Sequence, residues 1–291
     1  MPARVIHRRV LVGALLMWGT QPATRVWSQA RLVPDTVVVT GRSLTLGALL
    51  WRPLGNGPFP AVLFNHGSYL SRDSMQLSDP SVLGPVFARH GYVCLVLFRQ
   101  GIGLSSRQGT ADGDQMANAL AKGGVQARNR VQLALMDGEE LDEARAALAT
   151  LRTLPRVDPQ RIAVVGHSFG GSLTLFLAAQ DTSIRAAVVF GAAAGSWAQS
   201  PRLRRRLIEA VDSARAAILF VHPANDYSVA PGKVLAAESA RVGKPHELKI
   251  YPAFGRTSRE GHNFLFRSTA TWESDVFDFL AAHLTSRQRA K

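Results

Sequence analysis

The sequence of 291 residues predicts an α/β domain, a mostly parallel sheet with helices on both faces. Three observations carry this. Short apolar runs recur without clean polar alternation, as in strands covered on both sides. Stretches with helical spacing separate them. The segment VVGHSFGG, 164–171, then sets a serine between a β-branched run and a buried helical stretch, with a glycine two residues away on either side.

The elements follow in order. DTVVVT (35–40) and SLTLGALLWRP (43–53) read as two strands of a hairpin joined at Gly41. Further strands are expected at Phe59–Phe64, Tyr92–Phe98, Arg161–Val165, Ile184–Phe190, Ala216–Val221 and Glu247–Tyr251. Helices are expected at Ser81–His90, Glu139–Leu154, Ser172–Ala179, Lys233–Val242 and Trp272–Leu284. In the second, Leu141, Ala144, Leu148 and Leu151 recur at helical spacing. Gly103–Gly138 departs from the rhythm. It reads as partly helical, broken at Gly123-Gly124, and is expected near the mouth of the site. Gly191–Ser213 is a second excursion. No room is left for a large cap domain, so an open cleft is expected.

Residues 1–30 run from a basic stretch through VLVGALLMWG to Ser28-Gln29-Ala30. That order predicts an export signal cleaved after Ala30 and a single catalytic domain over 31–291. The protein is then expected to be periplasmic or secreted, with no stable membrane insertion after leader cleavage. Arg8-Arg9 faintly suggests a twin-arginine route without fixing it. The formal charge is +13, of which Arg4, Arg8, Arg9 and Arg25 belong to the leader. The remainder favours solubility and weak attraction to anionic surfaces, not specific nucleic-acid binding. The basic run PRLRRRLIEA, 201–210, reads as one solvated helix face. The one cysteine, Cys94, sits in GYVCLVLF and reads as a buried small hydrophobe. No Cys/His cluster has metal-ligand spacing, and neither a metal nor a cofactor is expected.

A serine hydroxyl is a weak nucleophile. It needs a base, and the base needs an acid that fixes its tautomer. After an elbow of this kind the expected order is serine, acid, histidine. Asp226, in HPANDYSV, follows a strand by a short loop at the end of the sheet where catalytic groups collect. Asp181 and Asp212 are worse placed. His262 lies between the last strand and the last helix, on a loop able to drop back over the sheet edge. His246 precedes its strand, and His222 lies too close to Asp226 to serve as the base. The oxyanion donors expected are the N–H of Phe169 and that of Ser68, with Tyr69 second; His66 is expected to hold that loop by hydrogen bonds. Tyr69, Trp197 and Phe254 are candidate substrate contacts, with core packing an equal reading. Arg259 is a candidate for an anionic substrate, unless Glu260 neutralises it.

Five pieces carry a family resemblance: NHGS (65–68), FRQGIGLSS (98–106), VDPQRIAVVGHSFGG (157–171), HPANDYSV (222–229) and GH (261–262). Over residues 35–285 the sequence resembles an α/β-hydrolase of the dienelactone-hydrolase-like group, near the prolyl-oligopeptidase-like hydrolases. The resemblance implies an α/β-hydrolase fold with eight strands, mostly parallel, the first antiparallel. It also implies nucleophile, acid and base roles for Ser168, Asp226 and His262. Dienelactone hydrolases proper use a cysteine nucleophile, so Ser168 points toward general ester hydrolysis on a small-molecule ester. A serine peptidase or amidase, a thioesterase or acyltransferase, and a non-catalytic binding protein of the same fold stay open. Acyl and alcohol identity and oligomeric state are not legible.

Overall fold

The computed structural model describes residues 33–41, 44–71 and 78–284. The expected leader lies outside the described residues. Eight strands form one sheet: β1 (Asp35–Thr40), β2 (Thr45–Trp51), β3 (Phe59–Asn65), β4 (Val93–Leu97), β5 (Val157–His167), β6 (Ala186–Phe190), β7 (Ala217–Pro223) and β8 (His246–Tyr251). Their order across the sheet is β1-β2-β4-β3-β5-β6-β7-β8. The strand that runs against the others is β2, antiparallel to both β1 and β4, and not the first strand as expected. The hairpin explains this: Gly41 N–H donates to Leu44 O, pairing Thr40 with Thr45 and reversing the chain once before β4. From β4 to β8 every pairing is parallel.

The apolar runs without alternation are the central strands, and every residue of β4, β6 and β7 is buried. Alternate side chains feed two cores. Leu63 joins the core under α2 (Asp112–Asp137), α3 (Glu139–Thr153), α4 (Phe169–Gln180) and α5 (Pro201–Ser213), together with Leu235 of α6 (Ala230–Arg241). Val62 and Phe64 join the core under α1 (Ser78–Arg89) and α9 (Thr269–His283). Helix α4 is buried nearly all round, as its sequence FGGSLTLFLAAQ requires.

The two excursions are helical. Helix α2 is kinked at Gly123 and at Gly124, where φ is 66° and ψ −166°. A glycine tolerates that left-handed backbone at no steric cost. The basic run is the exposed face of α5, whose Leu203, Leu207, Ala210 and Val211 are buried. Where the sequence predicts a loop, two short helices, α7 (Ser258–His262) and α8 (Phe264–Arg267), connect β8 to α9. No helix among the described residues is long and apolar enough to cross a membrane.

Candidate active site at the carboxyl edge of the sheet

Ser168 stands between β5 and α4 with φ 56° and ψ −116°. A non-glycine residue there stores strain of about 1–3 kcal/mol, held by its surroundings. Its N–H donates to Phe190 O at 2.8 Å and its carbonyl accepts from Ser172 at 3.1 Å. The flanking glycines are steric requirements. A Cβ on Gly166 would collide with Gly170 O and Thr174 Oγ1; one on Gly170 would collide with Asn65 O and His66 O. The elbow can therefore lie against the end of β3.

Asp226 follows β7 in a turn in which its N–H donates to Pro223 O. Its carboxylate accepts three hydrogen bonds. His262 Nδ1 reaches Oδ1 at 2.7 Å, Tyr227 N–H reaches Oδ1 at 2.7 Å, and His222 Nδ1 reaches Oδ2 at 2.9 Å. Burial alone would raise this carboxyl, but the two histidines bonded to it outweigh burial and hold it well below the usual range. An ionised carboxylate is acceptor-only, so each imidazole donates from Nδ1. That fixes the tautomer of His262 with its lone pair on Nε2.

The segment carrying His262 is anchored from the acid's own loop. Asn225 Nδ2 donates to Phe254 O at 2.8 Å and to Thr257 O at 3.1 Å, and its Oδ1 accepts from Phe254 N–H at 2.9 Å. Thr257 and Glu260 form a capping box that starts α7. His167, beside the serine, supplies a second anchor. Its Nε2 donates to His262 O at 2.8 Å, and the two rings are 4.7 Å apart. Burial, followed by the nearby His262, pushes His167 down to about 3, so it is a neutral ring.

On the other side of Ser168, residues 65–69 form a tight loop. Gly67 lies against Ser168, where a Cβ would stand 3.4 Å from the serine Cβ. His66 Nδ1 donates to Gly67 O at 2.7 Å, and its Nε2 accepts from Arg99 N–H at 3.2 Å. The Arg99 guanidinium donates to His66 O at 2.8 Å, to Gly67 O at 2.9 Å and to Asp112 Oδ2 at 3.0 Å. Asp112 Oδ1 in turn accepts the N–H of Tyr69 at 3.1 Å. This takes Tyr69 out of the set of free oxyanion donors. The N–H groups of Ser68 and Phe169 have no partner among the described residues, Phe169 because it opens a helix.

Behind the loop lies a buried ionic cluster. Arg99 also pairs with Glu140, and Glu143 Oε2 accepts the N–H of Gln100 at 3.1 Å. Burial raises Glu140 well above the ordinary glutamate range and brings Glu143 to about 7.

The other expected contacts fall elsewhere. Tyr69 packs its ring on His66 and donates its hydroxyl to Asp79 at 2.9 Å, beside the cleft mouth. Trp197 is packed into the core shared with α4 and α5, so its placement as a substrate contact gives way to core packing. Phe254 is half-buried against the opposite core. Arg259 is exposed on α7, while Glu260 is engaged by the capping box and by Arg256 N–H. Sequence reasoning missed Arg99, Asp112, Glu140, Glu143, Asn225 and the bond from His222. A signal existed for two of them: Glu140 and Glu143 sit on the apolar face of α3 one turn apart. Among the described residues no group of three His, Cys, Asp or Glu side chains is placed to hold a metal.

The dienelactone hydrolase family model matches residues 70–284. Curated relatives include a quorum-quenching protein, AidA, of Acinetobacter baumannii, 27% identical over 156 residues, which are 53% of this chain and 42% of that one. Esterase FrsA of Enterobacter sp. is 26% identical over 195 residues, 67% of this chain and 38% of the relative. A polyketide transferase of Penicillium sp. is 27% identical over 227 residues, 74% and 67% of the two chains. The chain thus spans about two fifths of the first two. Among solved structures, the acylaminoacyl peptidase of Pyrococcus horikoshii superimposes with a TM-score of 0.63 at 15% identity, covering 90% of this chain and 43% of the peptidase. An esterase of Pyrococcus furiosus gives 0.62 at 15% identity, covering 87% and 91%. At such identities the likeness shows the fold alone.

Proposed function

Since this chain belongs to the dienelactone hydrolase family of hydrolases, we propose that it cleaves carboxylic esters through an acyl-enzyme on Ser168. The observation that carries the reading is the His262 Nδ1 to Asp226 Oδ1 bond of 2.7 Å, at the sheet edge where a strained serine opens α4. It leaves Nε2 of His262 as the base. Ser168 Oγ attacks the ester carbonyl carbon as Nε2 takes its proton. The carbonyl oxygen becomes an oxyanion, received by the N–H groups of Phe169 and Ser68. The intermediate collapses, the C–O bond to the alcohol breaks, and His262 returns the proton to the departing oxygen. Water then attacks the acyl-enzyme by the same route in reverse, releasing the acid and free Ser168. The named esterase among the relatives supports ester over amide cleavage.

The test is fluorophosphonate labelling read by mass spectrometry, beside turnover of 4-nitrophenyl butyrate and the matching anilide. A single adduct on Ser168, with the ester cleaved far faster than the anilide, is expected. An adduct elsewhere with Ser168 intact sinks the assignment. We also propose export with cleavage after Ala30; terminal sequencing of protein from the producing cell checks it, and a dominant form retaining residues 1–30 overturns it.

A further inference from the structure

An exposed aromatic ring stands against the proposed base. Tyr227 is 50% exposed, and its ring centroid lies 4.9 Å from that of His262. Single exposed apolar side chains are ordinary, but three observations set this one apart. Its backbone is fixed by the acid, since the Tyr227 N–H donates to Asp226 Oδ1 at 2.7 Å. Its ring leans on the imidazole at 50°, so its place follows that of the base. Its flank is left bare by Gly195, in the small-residue stretch GAAAGS at 191–196. A Cβ on Gly195 would stand 3.8 Å from Tyr227 Cδ2, an ordinary contact, and the φ of Gly195 lies outside the left-handed region. Neither packing nor backbone demands a glycine there, whereas a long side chain would lie across the ring. The other aromatics of the region are engaged elsewhere, Tyr69 by Asp79 and Trp197 by the core.

We propose that the Tyr227 ring is a platform for the alcohol half of the substrate, and that the enzyme favours esters of arylalkyl alcohols. The inference rests on the ester-hydrolase reading of Ser168. In that reaction Nε2 of His262 returns its proton to the departing oxygen. The departing oxygen therefore lies on the imidazole side of the serine, away from the N–H groups of Phe169 and Ser68. What extends beyond it runs past the imidazole, where Tyr227 presents its ring. An aromatic group there gains the quadrupole attraction of an offset or edge-to-face pair in addition to burial; a saturated ring of the same size gains burial alone.

The experiment compares 2-phenylethyl butyrate with 2-cyclohexylethyl butyrate. The acyl half is shared, and two methylenes separate the ring from the leaving oxygen, so intrinsic reactivity is matched. The saturated ring is the more hydrophobic, so a merely apolar surface prefers it. A roughly three- to tenfold preference in kcat/KM for the phenyl ester is expected. Tyr227→Leu should abolish that preference and Tyr227→Phe should keep it. Gly195→Leu, which leaves Tyr227 in place, should abolish it by covering the ring. Methyl 3-phenylpropionate and methyl 3-cyclohexylpropionate carry the ring in the acyl half, and their ratio should not move in Tyr227→Leu. Absence of a phenyl preference, or an acyl pair that responds as the alcohol pair does, overturns the platform. An equal fall for both butyrates in Tyr227→Leu makes the ring a support for His262 and overturns it too. A binding arm needs no turnover. N-(2-phenylethyl)butanamide should bind Ser168→Ala more tightly than N-(2-cyclohexylethyl)butanamide, with the advantage lost when Tyr227→Leu is added. If neither ester turns over but the amide advantage holds, the hydrolase reading fails and the platform stands. If the esters turn over without discrimination, the reverse is true, and with neither turnover nor advantage both fall.

Discussion

On the base side of Ser168, the segment bearing His262 is held by Asn225, by the neutral His167 and by one carboxylate that receives three donors. On the oxyanion side, residues 66–69 are held by one guanidinium shared with Asp112 and Glu140, and Glu143 lies behind it. Both arrangements fix a loop at the same sheet edge, but the charges are used differently. The Asp226 charge belongs to the proposed chemistry, stabilising the imidazolium formed during attack. The charges of the Arg99 cluster touch no atom of the proposed reaction; they hold the carbonyls of His66 and Gly67 and so fix the loop that carries the proposed oxyanion donor. Their pH behaviour is opposite as well. Asp226 is held low, so its contribution to stability is full above the ordinary carboxylate range and is lost only as pH falls through its lowered folded value. Glu143 is raised by burial, so its contribution is full below about 4.5 and is lost as pH rises through about 7.

The sharpest way to break the comparison is on the base side. Asp226→Asn removes the charge but keeps the shape, and it should cut kcat on the order of 10⁴-fold. Kinetics on 4-nitrophenyl butyrate, with folding checked by circular dichroism, decide it. A folded variant with near-wild-type turnover makes the His262 bond structural.

Arg99→Lys tests the oxyanion side. Lysine keeps the charge for Asp112 and Glu140 but loses the fork that spans His66 O and Gly67 O. Misplacing one oxyanion donor should cost about 10²–10³ in kcat. Arg99→Met is a harsher change, leaving buried carboxyls unpaired at about 3–5 kcal/mol of stability, and its melting temperature should fall with it. Unchanged kcat in a folded Arg99→Lys protein detaches the cluster from catalysis.

His222→Phe sharpens the contrast further. It removes one donor to Asp226 Oδ2 and leaves the His262 bond in place. A bond to a charged acceptor is worth about 1.5–3 kcal/mol, and if about half is felt in the transition state, kcat/KM drops roughly tenfold. A loss as large as that of Asp226→Asn would mean that His222, and not His262, is the functional partner of the acid.

What was legible in the sequence follows the same division. The base side could be read because elbow chemistry imposes an order on Ser168, Asp226 and His262, and because glycines at 166 and 170 are needed where the backbone closes. The central strands could be read because burial on both faces leaves unbroken apolar runs. The direction of β2 could not, since hydrophobic pattern fixes a face and not a pairing partner. The Arg99 cluster was hidden for a different reason. Charged side chains default to the surface, and only Glu140 and Glu143 on the apolar face of α3 contradicted that default. For Trp197 the sequence left pocket and core as equal readings, because an aromatic in a connecting segment has the same pattern whether it lines a pocket or, as here, fills the core under α5.

The last prediction concerns Glu143 and has the smallest expected effect on turnover. Its carboxyl is buried, and burial raises it from the ordinary 4.5 to about 7 despite the Gln100 N–H and Arg99, which favour the charged form. Glu139 and Asp112 oppose that charge further. The folded protein therefore binds a proton that the unfolded chain releases, and stability falls as pH climbs between the two values. At 1.36 kcal/mol per unit the loss is about 3 kcal/mol at most, and coupling to Glu140 and Asp112 spreads it over a wider range. Glu143→Gln keeps an acceptor for Gln100 N–H and cannot ionise. Thermal unfolding of both proteins from pH 5 to pH 9 is the measurement. The wild type should lose stability relative to the variant as pH climbs from 5 to about 7 and run parallel to it above, with kcat of the two alike at pH 6. Parallel curves across the range would show that the Glu143 carboxyl titrates as an ordinary glutamate.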